Sequence, residues 1–223
     1  MRRMGKRWYI RGAAAGAAAL LLAGCGSGDD EGGATKALGK AEVSSVLPDA
    51  KAVPGWRSVL VPDAQEPNPE FPPSVCLSVN KKKRATACDH ITFWGASAYA
   101  RKPDGTSLNF WTLAYEDEKT ADAAYDALAE YYGGDRVGVG AVPVDIGDPG
   151  SEHVANRAEM GTMGGPATIT QLRVGTTVLG VSTGTQGKKA VSDQEVKDFA
   201  AMFAERAQQA QNGEKPSSAL TGQ

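Results

Sequence analysis

Two stretches of the chain are rich in aromatic and β-branched residues at strand spacing, and each is followed by a helical apolar stripe. Ile91 to Arg101 and Ser107 to Tyr115 form the first pair, with Pro103-Asp104-Gly105 between them. Pro presets φ, Asp bonds its own backbone and Gly accepts positive φ, so this spacing predicts a hairpin. Behind it, Ala121, Ala124, Tyr125, Leu128 and Tyr132 recur at steps of three and four. They predict a helix over 120–132, ended by Gly133-Gly134. The second pair is Ala167 to Val174 and Thr177 to Thr183, joined at Gly175-Thr176. Ser192 and Glu195 then make a capping box, and Val196, Phe199, Ala200, Phe203, Ala204 and Ala207 give the helix behind it a full apolar stripe.

Hairpin-then-helix therefore occurs twice, about 70 residues apart. Each helix must bury its stripe on a sheet face, which predicts an α+β fold: an antiparallel sheet of about five to seven strands with helices packed on it. Elsewhere the pattern is thinner. Leu38, Val43, Val46 and Leu47 point to a short helix stopped by Pro48, and Trp56 to Val61 reads as a strand. The proline-rich stretch 62–73 reads as loop. Val139, Val142, Val144 and Ile146 alternate among Gly and Pro, as in an edge strand and loop. Apolar residues fade after Gln208, so the single domain is placed at 36–210 and a disordered tail at 211–223.

The N-terminus changes the picture of where this domain works. Arg2, Arg3, Lys6, Arg7 and Arg11 precede a small-and-apolar block that ends at Leu22-Ala23-Gly24-Cys25. This is the charged region, apolar region and small-residue cleavage site of a secretory signal, placed at 1–24. The block is too short and too rich in Ala and Gly for a stable membrane span. With Cys after the cut it resembles the lipobox of bacterial lipoproteins. That resemblance implies diacylglycerol on Cys25, anchoring the chain to the extracytoplasmic face of the cell membrane. Residues 25–35, polar and Gly-rich, then form a tether.

Removing the signal alters the charge. The whole chain is formally −2, but without the five leader cations 19 Lys and Arg face 26 Asp and Glu, a balance of −7. Such a surface is a poor general partner for nucleic acid. The two acyl chains of a diacylglycerol suffice for stable attachment, so no basic patch is required.

With Cys25 lipidated, Cys76 and Cys88 remain, and in an oxidising compartment a disulfide is the expected state. A metal pair is the competing reading, weakened because His90 and His153 are the only histidines. Lys81, Lys82, Lys83 and Arg84 lie between the two cysteines. They read either as a contact for anionic headgroups or wall polyanions, or as a solvated hairpin end that resists edge pairing.

Catalytic chemistry finds little support. Gly180-Val181-Ser182-Thr183-Gly184 matches G-x-S-x-G, but a nucleophile elbow needs a strand-to-helix turn directly at the Ser and, in the usual order, a His after it. The next helix starts near Ser192, and no His follows His153. Asp89-His90 and Glu152-His153 are adjacent in sequence, and neighbours on a strand point to opposite faces. Gly133 to Gly140 lacks the lysine of a phosphate loop. No cofactor, metal site or catalytic set is assigned. The large aromatics, Trp94 and Trp111 foremost, either fill the core or line a groove for an apolar or saccharide ligand.

Taken in order, Ala41 to Trp56, the paired cysteines, Val144-Asp145-Ile146-Gly147-Asp148, Gln171 to Leu179 and the final amphipathic helix resemble a known pattern. The chain is similar to the secreted sensor-type domains of actinobacterial lipoproteins, the PknH-like extracellular domains. The resemblance spans most of 41–209 and implies an α+β sheet with a central groove, an extracytoplasmic location and ligand sensing without catalysis. The expected function is a lipid-anchored binding or sensing module for a small or envelope-derived ligand. The alternative is a structural or protein-interaction lipoprotein that modulates a membrane partner.

Overall fold

A computed structural model describes residues 35–221 apart from 103, 133–135 and 188, and leaves the side chains of 78, 81 and 82 undescribed. The signal at 1–24, Cys25, nearly all of the tether and the Gly133-Gly134 stop lie outside the described residues.

Seven strands form one antiparallel sheet. In chain order the elements are α1 (Lys40–Val46), β1 (Arg57–Gln65), α2 (Ser74–Ser78), α3 (Lys81–Cys88), β2 (Phe93–Arg101), β3 (Thr106–Ala114) and α4 (Glu118–Tyr132). Then follow β4 (Val142–Pro143), β5 (Glu152–Ala158), β6 (Ala167–Val174), β7 (Thr177–Gly184) and α5 (Asp193–Gln211). The sheet order is β1-β2-β3-β7-β6-β5-β4. Both expected hairpins sit at its centre, joined through β3 and β7 with Trp111 opposite Gly180. The turns form as their residues dictate. Gly105 takes φ 67°, and Asp104 Oδ1 accepts the Thr106 N–H at 3.1 Å.

The recurring hairpin–helix order is present, yet the two helices cover opposite faces of the sheet. On the first face, Tyr99, Leu108, Phe110, Leu172 and Leu179 pack under α1 and α5. Phe110 meets Phe203 edge-on at 5.1 Å and Phe199 at 6.4 Å. Fully burying each such side chain contributes about 1.5–3 kcal/mol. On the second face, Leu113, Tyr115 and Val178 pack under α2, α3 and α4. Among the described residues, that second cover reaches only one end of the strands.

Four expectations change. β1 does not stop at Val61 but runs to Gln65, through Pro62. Pro lacks the N–H of an interior ladder, but β1 is an edge strand whose register shifts between Leu60 and Asp63, so no bond is lost. Lys81–Arg84 is not a hairpin end but the first turn of α3, where Asn80 caps by accepting the Lys83 N–H at 3.1 Å. β5 went unread because its apolar residues are mostly alanines with no strict alternation. Residues 211–221, expected to be disordered, are held against the domain. Gln211 donates to the Val174 carbonyl at 2.6 Å, Leu220 N–H donates to Ala52 O at 2.8 Å, and Arg206 donates to Ser218 O at 2.9 Å. The domain therefore reaches beyond 210.

Candidate functional site

The uncovered end of the second face is a groove. Its floor follows from the register. Ala96 lies opposite Trp111, Trp111 opposite Gly180, and Gly180 opposite Gln171, one row across four strands. The next row is Ala98, Asn109, Ser182 and Ile169. Successive residues alternate faces, so all eight side-chain positions share the second face. Half of them, Ala96, Ala98, Gly180 and Ser182, are short, and the sheet has little there to fill the space above it.

Trp111 lies down into that space because Gly180 permits it. A Cβ at position 180 would come within 1.9 Å of the indole Cε2. Beyond the ring, Gln171 is 1% exposed, and neither its Oε1 nor its Nε2 has a hydrogen-bond partner. Leaving buried polar atoms unpaired costs about 1–3 kcal/mol each. In the neighbouring row the Asn109 amide donates to Ser182 Oγ at 3.4 Å.

Helices α2 and α4, the β5–β6 loop and β1 wall the groove. Ser74 and Val75 of α2 stand on one side, with Tyr132 donating its hydroxyl to the Val75 carbonyl at 2.8 Å and so tying α4 to α2. The β5–β6 loop supplies Thr162 and Met163 opposite, and Met163 Sδ sits 3.6 Å from Ser107 Oγ. Leu60 of β1 closes the edge. The space forms two adjoining cavities of 590 and 340 Å³ that share Asn109, Tyr132, Thr162, Ile169 and Ser182. Ligand sites commonly fall within about 300–1,000 Å³. Arg136 is the one charged side chain among the described lining residues, and its guanidinium sits over the Tyr131 ring at 4.3 Å.

A smaller cavity of 220 Å³ opens on the first face beside Trp56, Arg101, Glu195 and Leu220. Its charges are already engaged: Arg101 pairs with Glu195 and lies 4.8 Å above the Trp56 ring. Burial raises the Glu195 carboxyl, but bonds from Ser192 and Arg101 outweigh it and hold the group below its ordinary value.

The sequence-marked residues distribute as follows. Cys25 lies outside the described residues. Cys76 and Cys88 form a disulfide, with Cα atoms 6.1 Å apart, that staples α2 to α3. Within the basic run, Lys83 pairs with Glu130 of α4, and Arg84 is half-buried. Trp111 lines the groove, but Trp94 does not: one row nearer the covered end, it packs with the α2–α4 cluster. Ser182 sits inside β7 rather than on a strand-to-helix turn, so the nucleophile-elbow geometry is not met. His153 Nε2 lies 3.9 Å from Asp148 Oδ1, on β5. Among the described residues, no three His, Cys, Asp or Glu gather as a metal cluster.

The sequence pattern does not mark Gln171, Asn109, Tyr132 or Thr162 as groove residues. One signal for Gln171 was available: an amide within the strand-like run Ala167 to Val174.

No family model matches the sequence, and neither does any curated protein. The fold does have a solved counterpart. The extracellular domain of PknH from Mycobacterium tuberculosis superposes with a TM-score of 0.50 at 12% identity, covering 81% of this chain and all of that one. The likeness is one of fold. Among the described residues no helix is long and apolar enough to cross a membrane.

Proposed function

We propose that this protein is a non-enzymatic extracytoplasmic binding module, lipid-anchored at Cys25, that takes an envelope-derived ligand in the groove over Trp111 and Gln171. The carrying observation is the half-covered second face, where a closed core would have bulky side chains and this sheet has Ala96, Ala98, Gly180 and Ser182. Fold likeness to an extracellular domain supports the location, and the signal-and-Cys pattern supports the anchor. The basic run Lys81, Lys82, Lys83 and Arg84, which opens α3, is proposed to aid docking to anionic headgroups once the anchor holds the domain near them.

The reading is tested by thermal unfolding in the presence of aqueous envelope extract from the cells that make the protein. A ligand bound only by the folded state raises its stability. The melting temperature should rise for the wild type and stay fixed for Ala98→Trp, which fills the groove. An equal rise in both would refute the groove as the site.

A second reading has its own observation. Val59, Leu60 and Val61 on edge strand β1 are 60%, 47% and 67% exposed, with Phe71 and Leu77 also exposed. An apolar edge strand is a ready template for pairing with another chain. A structural lipoprotein that holds a membrane partner would use this edge and leave the groove empty. Cross-linking from position 59 rather than from position 98 would favour it.

A further inference from the structure

Resting on the groove reading above, we infer that the occupant is a neutral oligosaccharide that lays a sugar ring near Trp111 and offers a vicinal pair of hydroxyls to Gln171.

The side chains that can meet a ligand here are chemically narrow. An indole stands beside two carboxamides, Gln171 and Asn109, and hydroxyls come from Ser182, Thr162 and Tyr132. No carboxylate lines the space among the described residues, and the single guanidinium stands over Tyr131 at the far end. A charged group placed at Trp111 and Gln171 would therefore be desolvated without a counter-charge, which is costly. A purely apolar ligand would fit the indole, but it would leave both polar atoms of Gln171 as unmet as they are without it.

A saccharide satisfies both halves of the site. Its ring carries C–H bonds that pack on an aromatic face, and its hydroxyls each donate and accept. A carboxamide offers one acceptor and two donors on a single planar group. One sugar hydroxyl donates to Gln171 Oε1 while its neighbour accepts from Nε2, so the two buried orphans are paired at once. The same geometry explains why position 180 has no side chain: a methyl there would collide with the indole and lift the ring off the floor.

The test uses the full lipidated chain in a detergent without a sugar headgroup, labelled with 5-fluorotryptophan. Of the four tryptophans in the sequence Trp8 leaves with the signal, so three signals remain and that of Trp111 can be assigned by its loss in Trp111→Phe. Maltotriose, mannotriose and arabinotriose are titrated separately, then aqueous envelope extract. At least one trisaccharide should shift the Trp111 signal saturably and leave that of Trp56, on the other face, unmoved. In Gln171→Met that binding should weaken about tenfold or more. Its melting temperature should not fall, because an unpaired buried amide has been replaced by an apolar group of similar size. If the extract shifts Trp111 and no trisaccharide does, the ligand class is wrong and the groove reading stands. If neither does, both fall. Undiminished sugar binding by Gln171→Met overturns the assignment of the hydroxyl pair.

Discussion

Three tyrosines show how single hydroxyls hold outlying segments onto the sheet. Tyr99 donates to the Pro48 carbonyl at 2.5 Å, Tyr115 to Ala87 at 2.6 Å and Tyr132 to Val75 at 2.8 Å. The first fixes the chain leaving α1, the second fixes the end of α3, and the third fixes α2 as a groove wall. Each Tyr→Phe change leaves a carbonyl without its donor and should lower unfolding free energy by about 1–3 kcal/mol in chemical denaturation. Tyr132→Phe should in addition free the α2 wall, read as faster amide exchange at Val75 and Cys76. Arg206 does comparable work in the first layer. It is 6% exposed and donates to the carbonyls of Ser45, Val46, Leu47 and Ser218, capping α1 and pinning the C-terminal segment together. Arg206→Leu should cost about 3 kcal/mol or more and open residues 212–221 to protease, read by mass spectrometry of timed digests.

Elements differ in how far local pattern determines them. β2, β3, β6, β7 and α5 were legible because alternation, turn chemistry and the Ser192–Glu195 box all agreed. The register then decided what the sequence left open: Trp94 and Trp111 share a face, and only one borders open space. The α2–α3 pair was illegible for a physical reason. Its helices are short and rich in polar residues, with burial among the described side chains confined to Val75, Cys76, Val79 and Ala87, so no stripe marks them. Closing the Cys76–Cys88 loop does part of what the missing apolar face cannot. Reduction should cost roughly 3 kcal/mol on the chain-entropy model. It should raise exchange rates in α2 and α3 first and leave the β3–β7 centre protected, which hydrogen exchange with and without reductant will show. The groove itself was unreadable because it is defined by absent bulk, and Ala, Gly and Ser at strand positions look like weak strands rather than a site.

At the scale of the molecule, the charges and phenols set the pH range of stability. Lys36 and the Gly39 N–H hold Glu42 below the usual carboxylate range, and Glu195 is likewise depressed. A depressed carboxylate contributes stability that is complete above its unfolded value and is lost as pH falls through the folded one. Unfolding midpoints in denaturant should therefore hold steady near neutrality and fall below about pH 4. The tyrosines act in the opposite sense. Burial pushes Tyr99 and Tyr115 up, and burial with Glu152 and Asp126 nearby pushes Tyr125 up to about 12. Their neutral forms contribute stability that is full below about pH 10 and is lost above it. The phenolate absorbance of these three should accordingly rise together with unfolding, not ahead of it, read as the part lost in their Phe variants. Between these limits the domain offers one face closed by α1 and α5 and one face half open. The most direct test of that open half as a binding surface is an amide NMR map of the protein before and after adding envelope extract. The account predicts shifts gathered at the groove floor, Ala96, Ala98, Asn109, Trp111, Ile169, Gln171 and Ser182, and at its walls, Val75, Tyr132 and Thr162. Shifts gathered instead along Val59 to Val61, or none at all, would contradict it.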